Sequence, residues 1–414
     1  MNSSVLSPAR PPVLHPGPDA LPGPLRAKLL DRLPAACRVL VLGEADPSFA
    51  TAYVRRHPGA SVSRTDSAAA DCDLVVLPDG LDRIEEDLLP LLKRLATQCP
   101  AAARLYIEFA GPHAVGPEAD PVSSTDHAAQ ARRGSRAALC MVLMDAGWMP
   151  HAADYTIRPG TRQNIDGILV EATRPFDAAG PGLPPAASPA NFAVVVPTTR
   201  PEELQLNVND SPGLGEVRAP IYAIHEASSP ADALDTALPH LSQDWVLLCH
   251  QDVYFPEGFG KRLSAELAAI PAAERDRTLI GFVGIAADAQ QGGFGKAGFM
   301  IDRLNRMDHP ASTTAVSIDE AALVLSRQSL HRIDPAMGWH LWATDLCLTS
   351  ICQHEVFPRI VRLPLFHNSS NDSLLTDSFQ ASADRLLQKF PDFGPIPTLC
   401  GTLQAAGPTL APVA

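Results

Sequence analysis

The fold of the second half of this chain is decided by residues 245–256, which run WVLLCHQDVYFP. The five apolar residues 245–249 have the length and composition of a buried β-strand. Asp252 follows this run, and in open α/β sheets ligands bind beyond the carboxyl ends of the strands. Carboxylate oxygens hold Mg²⁺ or Mn²⁺ together with substrate phosphates. We therefore predict a divalent-cation site at Asp252, with a turn or helix-capping role for this residue as the alternative.

Other parts of the chain show the same alternation of strands and helices. In the second half, apolar runs at 193–197 and 221–224 predict strands, and 231–241 predicts a helix. In the first half, runs at 38–43, 73–78 and 104–109 predict buried parallel strands, with helices at 81–95 and 131–146. The chain is therefore predicted to belong to the α/β class and to form two domains.

Proline-rich stretches set the predicted domain boundaries. The 40 prolines concentrate at the start, around residues 181–189 and at the end of the chain. The predicted segments are a flexible arm (1–28), a first domain (29–178), a linker (179–190), a second domain (191–400) and a flexible tail (401–414).

Composition excludes some classes of protein. The formal net charge is −13 at pH 7 and the chain has no basic run, so we predict no nucleic-acid partner. The eight cysteines are scattered and form no CxxC pair, which is typical of reduced thiols. No segment has the roughly 18 apolar residues of a membrane span. We expect a cytoplasmic protein without a transmembrane segment.

Residues 191–393 resemble glycosyltransferases of the GT-A fold, in particular the family 2-like group found in bacterial polysaccharide synthesis. The resemblance rests on the stretches 194–197, 227–229 with 233–235, 245–255, 338–348 and 364–369. It implies transfer of a sugar from a nucleotide-sugar donor, in the first place a UDP-sugar, to a hydroxyl of a polysaccharide, a lipid-linked glycan or a protein. It also implies inversion at the sugar and a divalent metal, Mn²⁺ or Mg²⁺.

The metal motif of that family is usually written DxD. Here His250 stands at its first position and Asp252 at its last. The resemblance adds His367, which follows a strand predicted at 360–366, as a distant ligand. The predicted metal ligands are thus Asp252, His367 and His250. A purely structural hydrogen bond between His367 and Asp252 is the alternative.

The resemblance gives Asp345 the role of catalytic base, the carboxylate that takes the proton of the acceptor hydroxyl. Asp345 lies among apolar residues at the predicted start of a helix, where a capping role is the alternative. Trp339 and Trp342 flank it and are predicted to stack on the acceptor, with core packing as the alternative. His340, between them, is a candidate to bond a sugar hydroxyl.

The nucleotide-binding residues follow from the resemblance by position. The family binds base and ribose near the ends of its first two strands and near the following helix. The implied residues are Pro197, Thr198, Thr199, Glu226, Ser228 and Asp235.

Residues 30–175 resemble class I S-adenosylmethionine (SAM)-dependent methyltransferases, with a Rossmann-like sheet. The resemblance lies in 39–43 as first strand and turn, 72–81 as a later strand-to-helix connection, and 145–148 before a closing hairpin. That family approaches the cofactor with several glycines, whereas Gly43 is followed by EADP. A degenerate, non-catalytic domain that packs or binds a protein partner or a second copy is therefore expected. Retained SAM binding, with Asp66 on the ribose, is the alternative.

Two other functions stay open at the level of sequence. One is a bifunctional enzyme that also methylates with SAM, and the other is an inactive carbohydrate-binding or assembly protein. The glycine-rich segment 290–298 lacks the Walker spacing and predicts a flexible loop over the site. Asp319 and Glu320 are predicted to be capping residues.

Overall fold

The computed structural model shows a mixed α/β protein with two halves. It describes residues 24–33, 38–43, 48–64, 66–78, 84, 87–110, 135–157, 165–176, 191–288, 292–369 and 376–404. The predicted linker lies outside the described residues, as do most of the predicted arm and the last ten residues of the predicted tail.

The first half contains one six-stranded sheet in the order β2-β1-β3-β4-β6-β5. Strands β2, β1, β3 and β4 are parallel, and β6 enters antiparallel between β4 and β5. The predicted parallel strands and closing hairpin are confirmed. The strands are β1 (Arg38–Val41), β2 (Ser61–Ser63), β3 (Leu74–Leu77), β4 (Arg104–Ala110), β5 (Met149–Ile157) and β6 (Ile165–Thr173). The helices are α1 (Pro24–Arg32), α2 (Ser48–Arg56), α3 (Leu88–Gln98) and α4 (Arg136–Asp145).

Helix α4 is buried from Ala138 to Met144 without a polar face. A helix that is apolar all round must be covered on every side. One side of α4 packs in the core of the first sheet, and the same hydrophobic core continues into residues of the second half, including Tyr254 and Phe366. The two halves therefore share a core and are not joined by a linker alone.

The second half contains two six-stranded sheets and one two-stranded sheet, β19-β20. One six-stranded sheet has the order β17-β11-β16-β9-β7-β8, and the other has the order β10-β18-β13-β12-β15 with β14 paired to β13. The strands are β7 (Phe192–Thr198), β8 (Ile221–His225), β9 (Trp245–Cys249), β10 (Val253–Tyr254), β11 (Leu279–Gly281), β12 (Val283–Asp288), β13 (Gly293–Asp302), β14 (Asn305–Asp308), β15 (Ala315–Ile318), β16 (Ala322–Ser326), β17 (Arg359–Ile360), β18 (Phe366–His367), β19 (Ile396–Thr398) and β20 (Gly401–Leu403).

Helices α5 to α10 flank these sheets. They are α5 (Pro201–Leu204), α6 (Pro212–Gly215), α7 (Pro230–Ala237), α8 (Phe259–Ala268), α9 (Trp342–His354) and α10 (Asp377–Lys389). A π-helical turn, Gln205–Asn209, follows α5. Strands β7, β8 and β9 are parallel, so their carboxyl ends meet at one edge of the sheet. Strand β9 is buried at all five residues, as the sequence predicts.

In the described part of the glycine-rich segment, Gly292 lies in a turn and residues 293–298 belong to β13, so this part is not the flexible loop that the sequence predicts. Its glycines permit close contact between strands. A Cβ atom added at Gly298, whose φ is +90°, would lie 1.9 Å from the carbonyl oxygen of Phe282. A Cβ added at Gly284 in β12 would lie 2.1 Å from the carbonyl oxygen of Ser317. Glycine in a strand often marks such an approach of backbone to backbone.

Three predicted boundaries are corrected by the structure. The strand predicted at 360–366 is two short strands, β17 and β18, because Pro364 between them has no N–H to donate to a ladder. Helix α1 begins at Pro24, inside the predicted arm. Strand β20 pairs with β19 beyond residue 400, so the first residues of the predicted tail are part of the fold.

Within the described stretches, no helix combines the length and the apolar character that a membrane span needs. Seven of the eight cysteines are described, and these seven are free thiols. Five of them are buried, and Cys352 and Cys400 are exposed.

Candidate functional site

The HQD segment connects the two six-stranded sheets of the second half. Strand β9 ends at Cys249, and residues 250–252 lead directly into β10. Strand β10 pairs antiparallel with β18, so that Val253 faces His367. The N–H of Asn368 donates to the carbonyl of Asp252 at 2.8 Å. The chain therefore brings Asp252 and His367 to the same end of a two-strand ladder.

Three predicted metal ligands form one cluster. Nε2 of His367 lies 3.4 Å from Oδ1 of Asp252, and Nδ1 of His250 lies 4.0 Å from the same oxygen. One ligand atom from each of the three lies within 4.8 Å of the others. Ligand atoms that bind one ion, each about 2.0–2.3 Å from it, lie a few ångströms from one another, as these three atoms do. A carboxylate and two imidazoles suit Mn²⁺ or Zn²⁺, so the donor set fits a divalent cation.

The charges in this cluster are strongly coupled. Burial by itself would raise the pKa of Asp252, but the hydrogen bond and positive charge of His367 lower it to about 2. Burial opposes protonation of His367, yet its bonds to Asp252 and Asp302 raise its pKa to about 10. Burial lowers the pKa of His250, and the negative charge of Asp252 opposes this decrease. Without a metal, the cluster thus holds an imidazolium between carboxylates.

Asp302 is a site residue that the sequence argument missed. Its Oδ1 lies 3.2 Å from Nδ1 of His367, on the opposite side of the ring from Asp252. Asp302 ends β13 and faces His367 in the parallel register of β13 and β18. Carboxylates behind a ligating imidazole fix its orientation and tautomer. An acid at the end of an apolar strand is the signal that identified Asp252, and the same signal was available here.

Gln251, the middle residue of the motif, joins the cluster to the end of β7. Its Oε1 accepts from Oγ1 of Thr198 at 2.8 Å, and from the N–H groups of Thr199 and Arg200 at 2.9 and 3.0 Å. Its Nε2 donates to Glu203 at 3.2 Å. Two of the predicted nucleotide-binding residues, Thr198 and Thr199, are therefore held directly beside the metal motif.

The other four predicted nucleotide-binding residues make none of the hydrogen bonds described for Gln251. Pro197 is half-buried within β7, and Glu226 follows the neighbouring strand β8 in a left-handed conformation (φ 59°). Ser228 uses its N–H and hydroxyl to bond Asp232, an arrangement local to the start of α7. Asp235 is exposed in the second half of α7.

Asp345, the predicted base, is a buried acid that pairs with Lys389 at the surface. The residue is 1% exposed, and Nζ of Lys389 lies 2.7 Å from its Oδ1 and 2.8 Å from its Oδ2. Burial raises the pKa of Asp345, and Lys389 opposes the rise. A cation from α10 thus lies against both carboxylate oxygens and donates a hydrogen bond to Oδ2, while Oδ1 has no hydrogen-bond partner among the described residues. An acceptor hydroxyl would have to compete with Lys389 for this carboxylate.

The three predicted acceptor residues lie in different environments. Trp342 is 2% exposed and belongs to the hydrophobic core, so its ring is not available for stacking. Trp339 is 42% exposed. His340 is half-buried, with its ring packed edge-on to Phe379 and its Nε2 3.4 Å from Oγ1 of Thr376. Only Trp339 and His340 of this set face solvent.

A second acidic pair lies next to the motif. The N–H of His250 donates to the carbonyl of Ala321 at 2.9 Å, which places Asp319 and Glu320 beside the end of β9. The charge of Asp319 acts on both His250 and His367. Oε1 of Glu320 is buried and has no hydrogen-bond partner among the residues that the structure describes. Burial raises the pKa of Glu320 to about 8, opposed by the amides of residues 341–343 at the start of α9.

No protein-family model matches the chain, and no curated protein is similar to it in sequence. Among solved structures, the chain is similar to GalNAc-T7 with UDP, GalNAc and Mn²⁺, at a TM-score of 0.35 and 9% identity, over 50% of this chain and 49% of that one. It is also similar to the mitomycin 7-O-methyltransferase MmcR, at a TM-score of 0.24 and 15% identity, over 36% of this chain and 52% of that one.

A third similar structure is a TehB-like SAM-dependent methyltransferase from Corynebacterium glutamicum, at a TM-score of 0.23 and 16% identity, over 36% of this chain and 86% of that one. The chain thus spans about half the length of the GalNAc-T7 and MmcR structures. Similarity at these values carries no argument about function.

Proposed function

We propose that the second half is a metal-dependent glycosyltransferase that takes a sugar from a nucleotide-sugar donor, a UDP-sugar in the first place. The acceptor is a hydroxyl of a glycan or a protein. The observation that carries the proposal is the convergence of His250, Asp252 and His367 from two strands that are distant in sequence. The proposal covers the residues that hold metal and donor, and it leaves the identity of the sugar open.

The donor would lie along the edge formed by the ends of β7 and β9. Asp252, His367 and His250 would hold a divalent ion, and such an ion, when bound, neutralises the charge of a leaving diphosphate. Gln251 holds the backbone of Thr199 and Arg200 against the motif. Its role in the proposal is to fix the distance between the nucleotide loop at the end of β7 and the metal ligands.

Our proposal gives the role of proton acceptor to a residue other than Asp345. Lys389 lies against both carboxylate oxygens of Asp345, so an acceptor hydroxyl would have to compete with it. Oε1 of Glu320 makes no hydrogen bond within the described part of the chain, and Glu320 is next in sequence to Ala321, whose carbonyl accepts from the N–H of His250. A general base must reach the proton that it removes. We therefore assign the base role to Glu320 in place of Asp345. Glu320 can accept a proton only in its ionised form, which predominates above its pKa of about 8. We retain Trp339 and His340 as acceptor contacts.

The proposal is tested by ligand-dependent thermal stability. UDP with Mn²⁺ should raise the melting temperature of the parent protein, since a ligand at 100 times its Kd stabilises the native state by about 2.7 kcal/mol. Asp252→Asn should lose this stabilisation. Asp384→Asn, which changes an exposed acid on α10 that has no role in the proposed site, should keep it. Equal stabilisation of the Asp252→Asn and parent proteins by UDP and Mn²⁺ would contradict the proposal.

A further inference from the structure

Asp145, the last residue of α4, connects the first half of the chain to the segment that follows the metal motif. Oδ2 of Asp145 accepts from the hydroxyl of Tyr254 at 2.7 Å. Oδ1 accepts from the N–H of Glu257 at 3.2 Å. One carboxylate thus holds two points of the segment that follows Asp252. Burial raises the pKa of Asp145 to about 6, and these two donors oppose the rise.

Tyr254 connects Asp145 to the strand pair β10–β18, which begins next to Asp252 and contains His367. It is 1% exposed and lies two residues after Asp252 in β10. Strand β10 pairs with β18, where Tyr254 faces Phe366 and Val253 faces His367. A displacement of Tyr254 would therefore move the ladder that sets the distance between Asp252 and His367.

Helix α4 also reaches the strand that carries Asp302. The thiol of Cys140 donates to the carbonyl of Arg303 at 3.2 Å, and the N–H of Arg303 donates to the carbonyl of His367 at 3.0 Å. The same helix therefore contacts β10 through Asp145 and the end of β13 through Cys140. These are the two strands that flank β18 and its ligand His367.

We infer that Asp145 is a positioning residue for the metal centre, acting through Tyr254, and that the methyltransferase-like half serves as the support of the metal site. This inference rests on the proposed metal function. Metal ligands must be held within about 0.5 Å of their binding geometry by the residues behind them. The supporting residues come here from the other half of the chain.

The test compares two variants that each remove one hydroxyl from the interface between the halves. Tyr254→Phe deletes the bond to Asp145 and keeps the ring. Thr173→Val deletes the bond that Arg306 Nη1 donates to Oγ1 of Thr173 at 2.7 Å, at the same interface but on β6 and β14. Mn²⁺ affinity is measured by electron paramagnetic resonance of the free ion, and stability by urea unfolding.

We expect Tyr254→Phe to weaken Mn²⁺ binding by about 10-fold, the low end of the range for groups behind a ligand. Thr173→Val should lose similar stability and bind Mn²⁺ within twofold of the parent. Asp145→Asn keeps one acceptor oxygen and should give an intermediate loss. The inference is overturned if Tyr254→Phe binds Mn²⁺ like the parent, or if Thr173→Val weakens binding as much. A parent protein that does not bind Mn²⁺ would instead remove the proposed function itself, and this inference with it.

Discussion

The regions around Asp252 and Asp345 share a sequence signal and differ in the partner of the acid. Each carboxylate adjoins buried apolar residues, Asp252 after β9 and Asp345 in the first turn of α9. The nearest cation is the imidazole of His367 for Asp252 and the ammonium of Lys389 for Asp345. An imidazole can itself become a metal ligand, whereas an ammonium group has three donors and no acceptor. The cation beside each carboxylate therefore decides whether that carboxylate can bind a metal ion.

The largest expected effect concerns the ion pair between Asp345 and Lys389. Lys389→Met should lower the free energy of unfolding by about 3 kcal/mol, because it leaves Asp345 buried without a cation. The figure is at the low end of the usual range since the side chain of Lys389 is 29% exposed. Urea unfolding measures the change. Lys389→Arg is the control and should retain most of the stability, and a loss below 1 kcal/mol in Lys389→Met would show that the pair is not structural.

The second prediction separates the two candidate bases. Glu320→Gln should lower turnover of a UDP-sugar by at least about 10²-fold, the lower bound for loss of a general base. Asp345→Asn should lower turnover by less than 10-fold when measured well below its melting temperature. Steady-state release of UDP from a panel of UDP-sugars provides the measurement. The opposite order of effects would restore the base role to Asp345.

The smallest effect is expected for Asp302, which faces the predicted metal ligand His367. Asp302→Asn should weaken Mn²⁺ affinity by about 10-fold, because His367 loses the carboxylate that faces its Nδ1. Asp308→Asn is a matched control, since Asp308 is an acid on the neighbouring strand β14 that pairs with Arg362. Titration calorimetry with Mn²⁺ should show no change for this control. Equal affinities for the two variants would argue that Asp302 plays no part in the site.

The parts of the fold that depend on local sequence could be predicted. Strand β9 consists of five apolar residues in succession, and such a run forms a buried strand whatever its neighbours are. The position of Asp252 after it follows from the same run. The role of His367 could be proposed only through family resemblance, because the pairing of β10 with β18 joins residues far apart in the chain.

The surroundings of several predicted site residues depend on distant partners. Nothing near Asp345 in the sequence indicates that it pairs with Lys389. Nothing near Trp342 indicates that its side chain lies in the hydrophobic core. The sequence predicts only a capping role for Glu320, because the unbonded state of its Oε1 among the described residues is a property of packing and not of sequence. The glycine-rich segment was misleading for a related reason. Its glycines serve close packing between strands, and glycine has the same appearance in a loop.

The backbone contact at Gly298 has a consequence for how this protein can vary. Position 298 tolerates no Cβ atom, because the carbonyl of Phe282 occupies that space. The N–H of Phe299 also donates to this carbonyl, at 2.7 Å, so β13 cannot slide along its neighbour. Asp302 lies at the end of the same strand. Random mutagenesis should therefore find that alanine at 298, a position that touches no ligand, is among the least tolerated changes in the molecule.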